Sequence, residues 1–232
     1  MLTPKQFKDR WQAEVVSTDP LPDDVRLVTV PADKLASLRL PQLVREYLTE
    51  VGLPKACAPC LSFDELGKGL PRIWDVFSPT EWRPNEKIGL EHYLMIGFDG
   101  SGNPFCIDER DGKVVLLEHE LLFDTKNRNK LTMFVNSGIP QLAESLLLYQ
   151  HSSPDAHRKA LLEIDPPATQ KGTFWSYEHS VPEDDRRQSG LQKLLFSRLG
   201  NSDTSIARWL WVLLATALGV ILVVAMNRLL KR

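Results

Sequence analysis

The stretch from Ile96 to Glu120 carries the residue types in this sequence that most often do chemistry. It reads IGFDGSGNPFCIDERDGKVVLLEHE and combines two glycine clusters with several acids and a histidine. Glycines in such clusters cradle phosphates in nucleotide-binding loops, and acids at fixed spacing hold ions in calcium loops. Spacing decides between these two interpretations and a pair of simple turns.

The spacing fits none of the known binding loops. A dinucleotide loop needs G-x-G-x-x-G, but Gly100 and Gly102 are followed by Phe105 and by residues that favour a strand. A P-loop needs Gly-Lys followed by Ser or Thr, which the sequence lacks. An EF-hand loop counted from Asp99 needs glycine at its sixth position, where the chain has Pro104. The glycines are therefore predicted to form turns with positive φ.

Histidine is the other candidate for catalysis. His119 lies between Glu118 and Glu120, and alternation along a strand would put it on the opposite face from both acids. The sequence has no serine elbow, HExxH motif or convincing acid pair. A hydrolase that uses His92 or His119 is a minor alternative, which requires these groups to converge on one pocket. We predict a protein that is not an enzyme and binds no cofactor.

The three cysteines do not predict a metal site. Cys57 and Cys60 form a CxxC motif, CAPC, but Cys106 is alone and no histidine pair has zinc-finger spacing. A zinc ion would need two further ligands from distant parts of the chain. A redox CxxC normally opens a helix, whereas this pair follows Gly-Leu-Pro in a predicted loop. Reduced cysteines without a metal are the expectation.

An uncharged run near the C-terminus predicts a membrane anchor. It reads WLWVLLATALGVILVVAM from Trp209 to Met226, and a helix of about 18 residues spans roughly 27 Å, close to the thickness of a bilayer core. Basic residues bracket the run, and tryptophans lie at one end of it, as in an interfacial belt. The anchor residues that we single out are Trp209, Trp211, Leu214, Gly219, Ile221, Val224 and Met226.

The anchor sets the predicted organisation of the chain. The N-terminus lacks an apolar signal-peptide core, which favours a tail-anchored protein with its main domain in the cytoplasm. We predict a globular domain over residues 1–183, a polar linker with room for an amphipathic juxtamembrane helix over 184–207, a transmembrane helix over 208–228 and a basic tail over 229–232. Ala215-x-x-x-Gly219 fits the spacing of pairing helices, but the oligomeric state stays open.

Charge argues against a nucleic-acid partner. The chain has 28 basic and 30 acidic residues, and four of the basic residues flank the anchor, so residues 1–207 carry a formal charge of −6. An acidic domain lacks the electrostatic footprint of a nucleic-acid-binding protein. It suits a basic protein partner instead.

Periodicity predicts helices on either side of a run of strands. Thr3-Pro4 is typical of a helix start, and a helical stripe from Leu40 ends at Gly52. HYLMIGF, FCI and KVVLLEH are short apolar runs separated by turns, which predicts an antiparallel meander. A strand and helix follow in LTMFVNSGIPQLAESLLLYQ, with Asn136 or Ser137 as the N-cap, and a second helix follows in SPDAHRKALLEID.

Residues 55–90 are predicted to be irregular and rich in proline. Trp74, Phe77 and Trp82 supply large apolar surfaces there. The favoured interpretation is that they pin a long loop to the core, and the alternative is an exposed recognition surface.

Several of these strings together resemble a known family. REYLTEVGLP, LSFD, the long glycine stretch, FVNSGIPQLAESLLLY and EIDPPA with a tryptophan soon after are similar to the SUKH superfamily, and most closely to its fourth immunity-protein subfamily. The resemblance covers roughly Pro41 to Tyr177, and IGFDGSGNPFCID and VNSGIPQL are its most specific parts. The C-terminal anchor and CAPC depart from the usual pattern of that family.

The resemblance implies an α+β fold, a central mostly antiparallel sheet with helices packed around it. It also implies a non-enzymatic binding protein, since many bacterial members are immunity proteins that bind and neutralise a cognate toxin. With the anchor, we expect a single-pass protein of the bacterial inner membrane whose partners are a toxin domain and the lipid bilayer. The alternative is a membrane-anchored regulatory or scaffold protein outside a toxin system.

The expected partner-binding residues are six acids of the stretch from Ile96 to Glu120 and two tryptophans that would act as anchors. They are Asp99, Asp108, Glu109, Asp111, Glu118, Glu120, Trp74 and Trp82.

Overall fold

The computed structural model describes residues 1–18, 24–77 and 82–181. The predicted linker, the membrane anchor from Trp209 to Met226 and the basic tail lie outside these residues. Within them, no helix combines the length and the apolar character that crossing a bilayer requires.

The described residues form an α+β fold, as expected. The helices are α1 (Pro4–Trp11), α2 (Ala32–Leu35), α3 (Gln42–Glu46), α4 (Ile73–Val76), α5 (Pro84–Lys87), α6 (Ile139–His151), α7 (Pro154–Ile164) and α8 (Phe174–Ser180). The strands are β1 (Leu27–Val28), β2 (Leu53–Pro54), β3 (Ala56–Cys57), β4 (Leu61–Ser62), β5 (Tyr93–Phe98), β6 (Pro104–Asp108), β7 (Val114–Leu117) and β8 (Thr132–Asn136). Short 3-10 and π-helical turns extend or connect several of these elements.

A six-stranded sheet forms the centre of the domain. Its order is β3-β4-β5-β6-β7-β8, with every neighbouring pair antiparallel, and β1 pairs separately with β2. The predicted meander of β5, β6 and β7 is confirmed, with Leu94 opposite Ile107 and Phe105 opposite Leu116. Each strand of the sheet therefore lies beside the strand that precedes it in sequence, an arrangement that antiparallel pairing permits.

Side chains alternate between two apolar layers on the two faces of the sheet. In β5, Leu94 and Ile96 belong to the main core, whereas Tyr93 and Met95 belong to a second, smaller cluster. Helices α1, α3, α6, α7 and α8 supply the main core. The second cluster is covered by α4, Trp82 and the segment from Leu121 to Leu131. Because both faces are buried, the central strands are apolar throughout and show little alternation of polarity.

The N-terminal helix is an integral part of the main core. Phe7 and Trp11 are both 0% exposed, and the Trp11 indole donates to the carbonyl oxygen of Val25 over 2.7 Å. Thr3 caps the helix in a reciprocal capping box with Gln6, which confirms the predicted start. The first helix is thus part of the domain.

The prediction that residues 55–90 are irregular is wrong. This segment contains β3, β4, α4 and α5. The CAPC motif is the tight turn of the β3–β4 hairpin, in which Cys57 lies opposite Leu61. Elements of two to four residues are too short to produce a recognisable periodicity, so the sequence pattern could not indicate them.

The predicted cap of α6 is also wrong. The N-cap position is Gly138, without a side-chain hydrogen bond. Asn136 and Ser137 instead bind the buried carboxylate of Asp165: the Asn136 amide donates over 2.9 Å, and the Ser137 backbone and hydroxyl donate over 2.8 and 2.6 Å. These hydrogen bonds therefore join the segment with the sequence VNSGIP to the segment with the sequence EIDPP.

Asn136 is the centre of this buried network. Its side-chain oxygen accepts a hydrogen bond from the Trp175 indole at 3.0 Å, and its amide also reaches the Ser145 hydroxyl at 3.2 Å. Asn136 and Ser145 are 0% exposed and Asp165 is 2% exposed. The network ties β8, α6, α8 and the end of α7 together in the low-dielectric interior, where such bonds are strong.

His157 extends this network into α7 in its neutral form. Its Nε2 donates to the carbonyl oxygen of Ser145 over 3.0 Å, so its Nδ1 accepts from His179 Nε2 over 2.8 Å. The ring is 0% exposed and lies 4.8 Å from the Trp175 ring. The pKa of His157 is lowered to about 4, mainly by burial and to a smaller extent by the neighbouring His179, while the bond to Ser145 opposes the shift.

We expect the domain to lose stability as the pH falls from about 6.5 to about 4. In the unfolded chain His157 takes up a proton near pH 6.5, whereas the folded pKa is about 4, so acid favours the unfolded state. The loss at pH 5 should be about 2 kcal/mol. Urea unfolding across this pH range measures it. His157→Gln should remove this part of the pH dependence, whereas the exposed His151→Gln should retain it; equal slopes in both variants would contradict the assignment.

Candidate functional site

The predicted acids do not lie on one face but at two ends of the sheet. At the Phe98 end, β5 ends, β6 begins and β7 ends; at the Asp108 end, β6 ends and β7 begins. Asp99 is at the first end, and Asp108 is at the second, with the five residues of β6 between them. A strand of that length separates the two ends by roughly 15 Å. One compact partner site cannot use all six acids in the same way.

Asp108 and Asp111 hold the β6–β7 turn. Asp108 is 6% exposed and accepts from Arg110 Nε at 2.9 Å and Nη2 at 2.6 Å. Burial alone would raise the pKa of Asp108, but the hydrogen bonds from Arg110 outweigh it and the pKa is lowered. Asp111 pairs with Lys113 Nζ at 2.6 Å. Their first role is structural.

Glu109, at the same end of the sheet, is hydrogen-bonded to the chain segments that contain Arg39 and Arg72. One carboxylate oxygen accepts from the backbone of Arg39 at 2.7 Å and the other from Arg72 Nη2 at 2.8 Å. Burial opposes ionisation of Glu109, but these two donors prevail and its pKa is lowered. The side chain is 12% exposed, so it has little surface to offer a partner.

Asp99 holds the β5–β6 turn at the Phe98 end. It accepts from the backbone of Ser101 and Asn103, both at 2.8 Å, and from the Asn103 amide at 3.0 Å. Gly102 has the predicted positive φ, of 88°. Gly100 is not in that region, and the prediction is wrong there: a Cβ on Gly100 would lie 2.9 Å from Cys60 Cβ. Glycine is needed at that position for close approach of the β3–β4 hairpin.

His119 is not in a strand, so the predicted alternation of faces is wrong. β7 ends at Leu117, and a 3-10 turn runs from His119 to Leu121. The ring Nδ1 and the backbone of His119 meet the side-chain oxygen of Asn103 at 2.8 and 3.0 Å. The turn leaves the Glu118 side chain 45% exposed and Glu120 exposed. These two acids are open to a partner.

The two histidines of the minor hydrolase alternative do not converge. His92 Nε2 lies 3.8 Å from Asp108 Oδ2 at the Asp108 end of the sheet, whereas His119 binds Asn103 at the Phe98 end. Burial lowers the pKa of His92. The described residues hold no group of three or more His, Cys, Asp or Glu side chains that could bind a metal ion.

Four aromatic residues cover the second cluster near the Phe98 end. We call Phe98, Phe77, Trp82 and Phe123 the aromatic row. The Phe98 and Phe77 ring centroids are 5.9 Å apart, and those of Trp82 and Phe123 are 4.5 Å apart. The Trp82 indole donates to the Phe77 carbonyl oxygen, which connects the two pairs. The row therefore consists of two pairs of contacting rings joined by one hydrogen bond.

Only part of this layer is accessible. Trp82 is 9% exposed and belongs to the core, as the loop-pinning interpretation predicts. Phe123 is 40% exposed and Val76 is 39% exposed, while Phe77 and Phe98 are partly exposed. Trp74 is partly buried beneath Lys87, whose Nζ lies 5.3 Å from the ring centroid. Sequence reasoning singled out the tryptophans and missed Phe123 and Val76, which expose more of their surface than Trp82.

We define the aromatic–acidic surface as the exposed parts of this corner of the domain. It consists of Val76, Phe77, Phe98, Phe123, Glu118 and Glu120. Interface centres are rich in large apolar side chains, and charged residues concentrate at the rim. The arrangement is therefore suited to binding another protein with basic groups around an apolar centre.

The chain was compared with models of known protein families. The model described as SUKH-4 immunity protein matches residues 2–178. The match begins at residue 2, well before Pro41, where the recognised sequence strings begin, and this agrees with the burial of Phe7 and Trp11 in the main core. No curated protein and no solved structure matches the chain.

Proposed function

The chain belongs to the SUKH-4 immunity protein family, and from this premise we propose that it neutralises a cognate toxin by binding it directly, without catalysis. The partner in this proposal is a toxin domain, and the bound complex blocks the toxin by covering its surface. The opposite placement of His92 and His119 supports binding over hydrolysis.

The aromatic–acidic surface carries the proposal. Phe123 is the most exposed member of the aromatic row, yet its ring is fixed against Trp82 at 4.5 Å. A fixed, exposed ring loses little conformational entropy on binding, which favours affinity. Glu118 and Glu120 add negative charge beside it, and this favours a basic toxin through faster, steered association.

We further propose that residues 209–226 tether the domain to the bacterial inner membrane from the cytoplasmic side. Support comes from the uncharged run and from the basic residues on both sides of it. An immunity protein at that place would meet a toxin that enters through, or acts at, the membrane. Tethering would also raise the local concentration of the inhibitor at the surface that it protects.

Phe123→Asp should weaken binding to the cognate toxin by roughly 30-fold or more, the effect of losing one strong anchor. Glu120→Lys should slow association and reduce its dependence on salt. The measurement is surface plasmon resonance with the full chain in detergent, paired with rescue of growth when chain and toxin are expressed together.

Leu162→Asp is the matched control for this experiment. Leu162 is 52% exposed on α7, on the other face of the sheet. The Leu162→Asp variant should therefore bind the toxin with the affinity of the unchanged chain. Equal losses in Phe123→Asp and Leu162→Asp would refute the surface. A stoichiometric resident membrane complex without any toxin would refute the immunity function and favour the scaffold alternative.

A chain ending at Ala207 should be recovered in the soluble fraction of the expressing cell. The full chain should stay with membranes through an alkaline carbonate wash, because about 18 apolar residues are buried in the bilayer. A chain ending at Arg228 retains the whole apolar run and should behave as the full chain does. Carbonate-extractable full-length protein would contradict the anchor.

A further inference from the structure

A cleft lies on the main-core side of the sheet, where α7 and α8 pack. It is separate from the aromatic–acidic surface. Its volume is about 440 Å³. Met133 of β8 and Arg158 of α7 line it together with residues from Thr169 to Ser180. We call it the α8 cleft. Met133 packs against the main core, whereas the aromatic row packs on the second cluster.

The serine and threonine hydroxyl groups of the α8 cleft are already engaged. Thr173 Oγ1 donates to the carbonyl oxygen atoms of Ala168 and Gln170, both at 2.7 Å. Ser176 Oγ donates to the carbonyl oxygen of Thr173 at 2.9 Å, and Ser180 Oγ donates to that of Tyr177 at 2.6 Å. These groups shape the cleft wall and are not available as the main donors to a ligand.

The backbone amides of the cleft are engaged as well. The N–H groups of Gly172 and Thr173 both donate to Ser176 Oγ, at 3.1 Å. Phosphate sites in proteins usually rely on such amides pointing at the ligand. Since both are occupied here, the cleft is poorly equipped for a phosphate.

Two cations remain as recognition groups. Arg158 and Lys171 are exposed, and neither forms an ion pair with any part of the chain that the structure describes. Among the residues that the structure describes, no aspartate or glutamate lines the cleft. In a chain with a formal charge of −2, this is a local positive site, and its charge is complementary to a carboxylate.

The cleft also borders an edge of the sheet. Within residues 1–18, 24–77 and 82–181, β8 is the end strand of the sheet, so one side of its backbone is not paired with another strand there. Its first three residues, from Thr132 to Phe134, are exposed or partly exposed, and Met133 among them lines the cleft. An extended peptide can add to such an edge while its side chains enter neighbouring pockets.

We propose that the α8 cleft binds an extended acidic segment of a protein partner. The segment lies along β8, and its carboxylates pair with Arg158 and Lys171. Tyr177, which is 61% exposed, and Met133 supply apolar contacts to the rest of the segment. This site is separate from the aromatic–acidic surface. It selects an acidic partner, whereas the proposed toxin is basic.

The test uses a fluorescein-labelled peptide of alternating glutamate and valine, with anisotropy read against the full chain in detergent. Arg158→Glu combined with Lys171→Glu should weaken binding at least about tenfold, since two attractive pairs become repulsive. Lys159→Glu is the matched control: Lys159 is exposed on the same helix but does not line the cleft, and its variant should bind within about twofold of the unchanged chain.

A second peptide tests the contact with β8. N-methylation of alternate amides removes the donors that would pair with the strand, so this peptide should bind more weakly than the first. Three results would overturn the proposal: equal affinity in the double variant and the unchanged chain, equal affinity of the methylated peptide, or binding to phosphatidylglycerol vesicles without binding to the acidic peptide.

Discussion

Asp165→Ala should cost about 3–5 kcal/mol in the free energy of unfolding, a large part of the stability of an ordinary domain. The carboxylate accepts three hydrogen bonds, from the Asn136 amide and from the backbone and hydroxyl of Ser137. Alanine removes all the acceptors and leaves these donors unpaired in the interior. Urea unfolding followed by tryptophan fluorescence measures the loss, since Trp175 bonds to Asn136.

Asp155→Ala provides the comparison on the same helix. Asp155 is exposed in the first turn of α7, so its removal should cost less than about 1 kcal/mol. Asp165→Asn keeps one acceptor and should fall between the two. A loss in Asp165→Ala no larger than in Asp155→Ala would show that the network contributes little to stability.

Gly52→Ala should cost about 3–5 kcal/mol, because two separate penalties add. The first is conformational: Gly52 has a φ of 80°, where an L side chain is strained. The second is steric: a Cβ on Gly52 would lie 2.0 Å from the carbonyl oxygen of Val28. The clashing oxygen belongs to the backbone of β1, where Val28 pairs with Leu53 of β2. The clash can therefore be relieved only by separating these two strands.

Gly89→Ala separates the two penalties. Gly89 also has a φ of 80°, but a Cβ there would meet no atom within 4 Å. Its cost should be about 1–2 kcal/mol, the conformational part alone. Thermal unfolding of both variants gives the comparison, and equal shifts in melting temperature would exclude the steric contribution at Gly52.

The long elements could be predicted from the sequence because each has its own periodic signal. The meander from Tyr93 to Leu117 shows apolar runs between turn residues, and α6 and α7 are long enough to display a helical stripe. The layer over the second face could not be predicted. It consists of α4, α5 and 3-10 turns, whose few residues are held by tertiary packing against the sheet.

The site was predicted only in part, because residue type indicates chemistry and not position. Glu118 and Glu120 are exposed as a partner site requires, but Asp108 and Glu109 have similar sequence surroundings and are held by Arg110 and Arg72. Those contacts depend on which chain segments meet. Phe123 carries no local signal, since its ring is placed against Trp82, which is far away in sequence.

The position of α1 has a consequence for synthesis on the ribosome. α1 is translated well before α6, against which it packs, and the Leu2 backbone donates to Glu144 at 2.8 Å. At elongation rates of about 5–20 residues per second, roughly 7 to 27 seconds separate the two segments. During that time Phe7 can already contact Tyr47, and Trp11 can already bond to Val25, but neither has its packing partners on α6. Each strand of the sheet from β4 to β8, by contrast, finds its neighbour already made. Co-translational assembly therefore completes the sheet strand by strand, and α1 gains its contacts with α6 only after β8 is made.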